Sequence, residues 1–524
     1  MTTPEDSGPL EDILAAKRAK VAELRVRGLD PYPSRSRKTH STADVLRLGA
    51  ALSGPEHSSE SVSCAGRILQ LRDMGKSIFA HLADSAGRCQ VYFKKDALPE
   101  PEFLLAKKDL QVGDFIAVTG NVFKTRTGET TVAVAAVVLL AKALRPLPEK
   151  WHGLKDVEIR YRHRHLDLIA NPDVQEKFRQ RSLIVSTIRR TMDRLGFLEV
   201  ETPILLPQAG GASARPFHTH HNALDADLVM RIATELYLKR LIIGGFERVY
   251  EIGRIFRNEG IDTRHNPEFT MMEAYQAYSD YNGMAELFET LVGECAEALK
   301  ISEVSYGEHK ISVKPPFRRL YLPELWKDRC GAPIDGILKG KGFDRPALLA
   351  LSHSLGVPAG EKTPSAKVFE RIFDVKILPL LDQLSFVFDH PTAITPLAKL
   401  KPGSQGLVER FECFAGGQEY ANAYTELNDP QDQRERLVEQ ARQRREEGDE
   451  EADVLDQDFV EAMECGMPPM GGIGVGIDRL VMLLTGQPSI RDVILFPTLK
   501  AEGTPSPSRV ENSHAPGTVP PEAP

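Results

Sequence analysis

The stretch Arg248–Tyr275, RVYEIGRIFRNEGIDTRHNPEFTMMEAY, decides how the rest of the chain is read. It reads as two extended segments, Arg248–Phe256 and Glu268–Tyr275, joined by a polar loop with Gly260, Asp262, His265, Asn266 and Pro267. Side chains two apart on a strand share a face, so Phe269, Met271, Glu273 and Tyr275 line up together. On the first segment Glu251, Arg257 and Glu259 share one parity, provided the strand runs that far. An aromatic ring, an arginine and several carboxylates on one face make a poor core. They suit a site that holds a flat base, a phosphate and a cation. The plainer alternative is an edge hairpin with a solvated polar face.

A second strand pair lies far downstream. GLVERFECFAGGQEYANAYTELNDP, residues 406–430, is broken by Gly416-Gly417 into two extended pieces. Alternation places Gln418, Tyr420, Asn422, Tyr424 and Glu426 on one face, with Glu412 and Phe414 sharing a parity before the turn. Glu419 falls on the opposite parity. After it, GGIGVGIDRLVMLLTG joins a glycine-rich strand to an apolar helix, with Asp478 as a candidate N-cap. Upstream, Thr234 is a candidate cap for a helix bearing Leu238, Leu241 and Ile242, with Glu235 in its first turn.

The N-terminal part has a different texture. Residues 10–27 read as a helix with a basic face, and 42–51 as a short second one. From Ser61 to about Leu144, five short strands follow in close succession, which predicts a small closed barrel of the OB type. Such barrels stack unpaired bases on exposed aromatic rings. By its pattern alone, Phe79 is a core residue. Residues 305–384 carry helical patterns but no constellation with assignable chemistry.

Composition is that of an ordinary globular protein, with 41% hydrophobic and 27% charged residues and a net charge of -8 over 524 residues. This mildly acidic total argues against a general nucleic-acid coat, though not against a local RNA surface. The six cysteines include no C-x-x-C pair, which points to reduced thiols in a cytoplasmic protein. The longest apolar run, Val132–Ala141, is about half of a membrane crossing, and no secretory signal is expected. The His218–His221 run lacks further ligands for zinc.

The FRNEG core and the RHNPEFTMME return resemble motif 2 of the class II aminoacyl-tRNA synthetases, in the bacterial-type lysyl branch. GFLEVETPIL with its preceding helix resembles motif 1, the dimer interface. IDRLVMLLTG with RDVILFP resembles motif 3, and RDMGKSIF resembles the anticodon-reading barrel. The resemblance spans about residues 10–500. It implies an α+β chain: an antiparallel-sheet catalytic domain at 173–500 and an OB-fold anticodon domain at 61–145. A helical extension at 1–60, a hinge at 146–172 around RYRHRHLDL and a disordered tail at 501–524 complete it.

The resemblance further implies a cytoplasmic homodimer that activates L-lysine with ATP and Mg2+ and transfers it to tRNA(Lys). By motif position Arg257 and Arg479 are catalytic, and Arg257, Glu259, His265, Asn266, Phe269 and Arg479 bind ATP. Gly211, Glu235, Arg257, Glu273, Tyr275, Asn422, Tyr424 and Glu426 take the lysine, while Glu412 and Glu419 take the metal. Arg72, Phe79 and Gln90 fall at the anticodon. An acidic pocket with no base besides Arg257 would reject aspartate. Three alternatives stay open: an aspartyl or asparaginyl synthetase, a lysine ligase acting on protein, and a noncatalytic OB-fold RNA binder.

Overall fold

The computed structural model describes residues 7–53, 56–147, 154–212, 214–357, 359–360, 362–447 and 456–500. The tail from 501 onward, expected to be disordered, lies outside the described residues. The chain divides into two units, Met1–Lys155 and Asp156–Lys500.

In the first unit, strands β1 (Ser61–Asp73), β2 (Ser77–Asp84), β3 (Gly87–Lys94), β4 (Phe115–Lys124) and β5 (Thr130–Ala141) form a closed barrel in the order β1-β2-β3-β5-β4. Alternating residues such as Val62, Cys64, Ile78, Ala80 and Leu82 fill its interior. Tight curvature requires a residue without a side chain at Gly120, where a Cβ would lie 1.9 Å from the Ala133 carbonyl oxygen. Helices α1 (Ser7–Val26) and α2 (Thr42–Ala50) cover the barrel, Leu24 and Val45 reaching its core. Part of the basic face of α1 is structural: Lys20 and the adjoining Arg27 pair with the buried Asp109.

The second unit is built on an eight-stranded sheet. Its strands are β6 (Leu198–Glu199), β7 (Arg248–Phe256), β8 (Glu268–Ala277), β9 (Arg318–Tyr321), β10 (Ser385–Pro391), β11 (Leu407–Ala415), β12 (Gln418–Thr425) and β13 (Met470–Gly476). Their order is β9-β10-β11-β12-β13-β8-β7-β6. All pairings are antiparallel except β6 with β7 and β9 with β10. One face packs on helices α3 (Pro172–Arg194), α5 (Tyr281–Leu299) and α8 (Ile477–Leu484) through an apolar core. Ile188, Phe288, Phe386, Phe411, Ile473 and Leu480 belong to that core. The same division leaves the other face free to carry polar residues. Helix α4 (Glu235–Ile243) and helix α7 (Gln457–Glu464) stand at one end of that face, and α6 (Ser365–Lys376) at another.

Several local expectations change. Residues 157–170, read as part of a hinge, form two short helices of the second unit. Within them Arg164, 1% exposed, donates to Asp167 and to the Leu495, Arg491 and Ile494 carbonyl oxygens. The Arg/His cluster is thus a packing node, driven by the need to satisfy a buried guanidinium. GFLEVETPIL contributes only the two-residue β6 to this sheet, and its last residue, Leu205, begins a separate short strand, Leu205–Leu206, paired with residues 229–230. Residues 305–384 enclose a satellite core, with Trp326 and Phe369 stacked at 4.9 Å between ring centroids. Among the described residues no helix is long and apolar enough to cross a membrane.

Candidate active site

The free face of the sheet is the floor of a cavity of about 770 Å3. Phe269, Met271, Glu273 and Tyr275 line it from β8, and Arg410, Glu412 and Phe414 from β11. Glycines of β13 leave the floor bare. A Cβ on Gly472 would lie 2.0 Å from Glu426 Oε1 and 2.5 Å from the Tyr275 ring, and one on Gly474 2.5 Å from Met271 Cε. The glycine-rich run is therefore a steric requirement of the site, a role its composition left open.

At one end of the cavity negative charge is concentrated. Glu235, Glu273 and Glu426 are 5%, 4% and 1% exposed. Glu273 accepts from the Thr234 backbone N–H at 3.2 Å and, more weakly, from the Tyr275 hydroxyl at 3.4 Å. Burial, with the Glu235 charge nearby, pushes the Glu273 carboxyl up to about 7. Tyr424 donates its hydroxyl to Glu235 at 2.7 Å, and Gly211, with φ +83°, places its backbone against Glu235. Glu426 does not line the open cavity. It lies one layer deeper, beneath Gly472 and against Tyr275.

This end holds a base that the sequence reading missed. Lys239, fully buried on α4, ion-pairs with both Glu235 and Glu426. Its i, i+4 spacing from Glu235 is visible in TELYLKRL, but the approach of Glu426 is not. Arg410 is a second missed base, although it shares the parity of Glu412. It binds Glu412, Asn422 and Thr395. The expectation of a pocket with no base but Arg257 is therefore wrong. Thr234 does not cap α4 with its side chain either: its backbone is helical and its N–H serves Glu273.

Arginines gather around the middle of the cavity. Strand β7 ends at Phe256, so Arg257 and Glu259 belong to the loop and parity does not place them. Glu251, on the same parity, is instead tied to Arg231 and Thr202. Arg257 lies 5.4 Å from the centroid of Phe269 and makes no ion pair among the described residues. Burial lowers its pKa. Arg479 donates to the Glu419 carbonyl oxygen at 3.2 Å and contacts His265 Nε2 at 3.4 Å. Asn266 is buried and His265 bonds Asp262. Glu259, His265 and Asn266 all line the cavity. Asp478 is not the N-cap of α8; it lies in the first turn, paired with Arg181 and accepting the Thr270 N–H.

Glu412 and Glu419 meet through a β-bulge. Cys413 pairs with Ala421 but Phe414 with Glu419, so Tyr420 is the extra residue. The bulge reverses parity, putting Glu419 beside Glu412, Asn422 and Tyr424 and turning Gln418 toward the core face. Alternation by itself had these reversed. Burial and then the Glu412 charge raise the pKa of Glu419, so the pair favours a cation between them. Arg410 and Arg479 are their present partners. Hard oxygen ligands of this kind fit Mg2+. Among the described residues no group of three His, Cys, Asp or Glu is placed to hold a metal. Helix α6 adds Lys367, Glu370 and Asp374 to the cavity wall, from a region whose sequence suggested no chemistry.

On the barrel, Phe79 is on the outer face, half-exposed rather than in the core, because Ile78 and Ala80 take the inward positions. It stacks on Tyr92 at 4.7 Å, and Tyr92 meets Phe123 at 6.1 Å. Arg72 is exposed and directly across the ladder from Phe79. Gln90 is buried between Glu129 and Thr131. Tyr92, Phe123 and Glu129 went unnoticed in the sequence, although Tyr92 shares the outward parity of Gln90 on β3.

An antiparallel sheet whose open face carries arginines and carboxylates, in a chain with a separate OB barrel, defines a class II tRNA synthetase. A family model described as tRNA synthetases class II (D, K and N) matches residues 156–500, and one described as OB-fold nucleic acid binding domain matches residues 62–140. Lysine–tRNA ligases from Moorella thermoacetica, Bacillus subtilis and Bacillus cytotoxicus are 49%, 48% and 47% identical to this chain. The matches cover 93%, 94% and 94% of this chain and 98% of each relative. The chain belongs to the lysine–tRNA ligase family of class II synthetases.

Proposed function

We propose that this chain activates L-lysine with ATP to lysyl-adenylate and transfers the lysyl group to the 3′ end of tRNA(Lys), in the cytoplasm, for translation. The observation that carries the choice of amino acid is the buried trio Glu235, Glu273 and Glu426 at one end of a cavity that also holds Arg257. The substrate α-ammonium meets Glu235, Glu273 and the Gly211 backbone. The ε-ammonium reaches toward Glu426 and the Tyr275 hydroxyl, with Asn422 and Tyr424 flanking the stem. The cations already present at this end are bound to carboxylates of the protein, Lys239 to Glu235 and Glu426 and Arg410 to Glu412, so neither is offered to an acidic side chain.

The reaction needs no general base, since a carboxylate is a nucleophile at neutral pH. Arg257, uncommitted to any carboxylate, bridges the lysine carboxylate and the α-phosphate as charge redistributes during in-line attack. Phe269 stacks on adenine. Arg479, with Glu259, His265 and Asn266, holds the nucleotide. Glu412 and Glu419 would hold Mg2+, which neutralises phosphate charge. The 61–145 barrel presents Arg72 and Phe79 to the anticodon, with Gln90 on the neighbouring strand β3, and the Asp156–Lys500 unit performs catalysis.

Exposed apolar residues Leu183 on α3, Leu198 on β6 and the nearby Ile204 and Leu205 support a homodimer through this region. Lysine-dependent ATP–pyrophosphate exchange tests the proposal. Exchange with lysine but not aspartate or asparagine is expected, followed by charging of tRNA(Lys). Stimulation by aspartate would overturn it. Glu426→Gln should abolish exchange in a folded protein.

A further inference from the structure

Lys239 is an ammonium without exposure, inside the pocket proposed to select an ammonium-bearing substrate. Its Nζ meets Glu235 and Glu426, which come from different elements, and lies 6.0, 5.5 and 5.8 Å from the ring centroids of Tyr275, Tyr424 and Phe459. Glu426 meets Lys239 through Oε2, while its buried Oε1 accepts no hydrogen bond among the described residues. Glu426 is thus neutralised in charge but left with hydrogen-bonding capacity. A buried carboxylate in that state calls for a further donor.

We propose that Lys239 is a positioning residue that sets the charge of the amino-acid pocket and ties Glu235 to Glu426. Burial pushes the Glu426 carboxyl up and the Lys239 ammonium beside it pulls it back. With Glu235, Glu273 and Glu426 ionised in the lysine complex, Lys239 cancels one of three negative charges. Two remain, matching the two ammonium groups of lysine, while the substrate carboxylate is balanced by Arg257. An amino acid with a single ammonium leaves one buried carboxylate uncompensated, which a protein avoids by binding a proton. The groups facing Lys239 are Glu235 on α4, Glu426 after β12, Tyr424 on β12, and Tyr275 with Glu273 on β8; Phe459 of α7 adds only a ring. Burial pulls the Lys239 pKa down, but Glu235 and Glu426 more than restore it, so it stays charged. This inference rests on the lysine-activating reading.

The test pairs exchange kinetics with proton counting by calorimetry in two buffers at pH 8. Lys239→Met keeps an unbranched stem among the three rings. It is expected to raise the lysine KM by about 100-fold while leaving the ATP KM within about twofold. Lysine binding should take up no proton in the wild type and about one in Lys239→Met, a change that packing alone would not produce. An unchanged lysine KM in the variant, or equal proton counts, would overturn the inference. Should the variant not fold, the wild type decides alone. Its ε-hydroxy analogue of lysine should take up about one proton more than lysine does, and uptake of a whole proton with lysine itself overturns the assignment. Absence of lysine-dependent exchange in the wild type would instead refute the parent reading.

Discussion

In the sheet unit, Glu235, Lys239, Glu273 and Glu426 are buried and packed against one another, with Lys239 paired to two of the carboxylates. On the barrel, Phe79 stacks on Tyr92 in a half-exposed row and Arg72 extends into solvent. The two regions differ in what burial does. Charge–charge interaction is strong where water is excluded and is screened at the surface. Ring stacking needs only an accessible face. One region is therefore suited to telling amino acids apart by charge, the other to holding unpaired bases.

Replacing residues on each side should separate the two. Arg257→Ala is expected to have the largest effect, lowering lysine-dependent exchange by about 10³-fold, the upper range for one transition-state donor, with tRNA binding retained. Loss of tRNA binding in that variant would erase the separation. Gly472→Ala comes next. Its Cβ would fall on Glu426 Oε1 and the Tyr275 ring, and lysine-dependent exchange should drop about 100-fold while ATP still protects the protein in thermal unfolding.

Phe79→Ala should lower kcat/KM for tRNA charging by about tenfold or somewhat more, the value of one stacked base, and leave exchange unchanged. A loss of exchange there would show that the regions are not separable by function. The mildest expected effect is one of pH. Glu273 is raised to about 7 and must be ionised to take an ammonium, so the lysine KM should rise about tenfold as pH falls from 8 to 6. The stability of the unliganded protein should move the other way. The folded state holds the Glu273 proton to higher pH than the unfolded chain does, so stability falls as pH rises from about 4.5 through about 7.

Much of the site could be read locally. Phe269, Met271, Glu273 and Tyr275 follow from strand parity and all four line the cavity. Parity failed where the backbone departed from ideal geometry. The bulge at Tyr420 carried Glu419 to the Glu412 face, and the end of β7 at Phe256 released Arg257 from the strand. For Phe79, which the resemblance set at the anticodon, the core reading from pattern alone failed for another reason: an aromatic residue in a strand suits core or surface, and only barrel closure distinguishes inside from outside.

Sequence by itself determined the two-part architecture, the order of its motifs and most of the residues that converge on the cavity. Period-2 patterning, breakers and motif spacing are all written along the chain. The tertiary structure alone decided which charges meet. Lys239 finds Glu426 from 187 positions away, and α6 joins the cavity wall from a region with no recognisable chemistry. Electrostatic partnership depends on distance in space and on the exclusion of water, and neither quantity is carried by linear order.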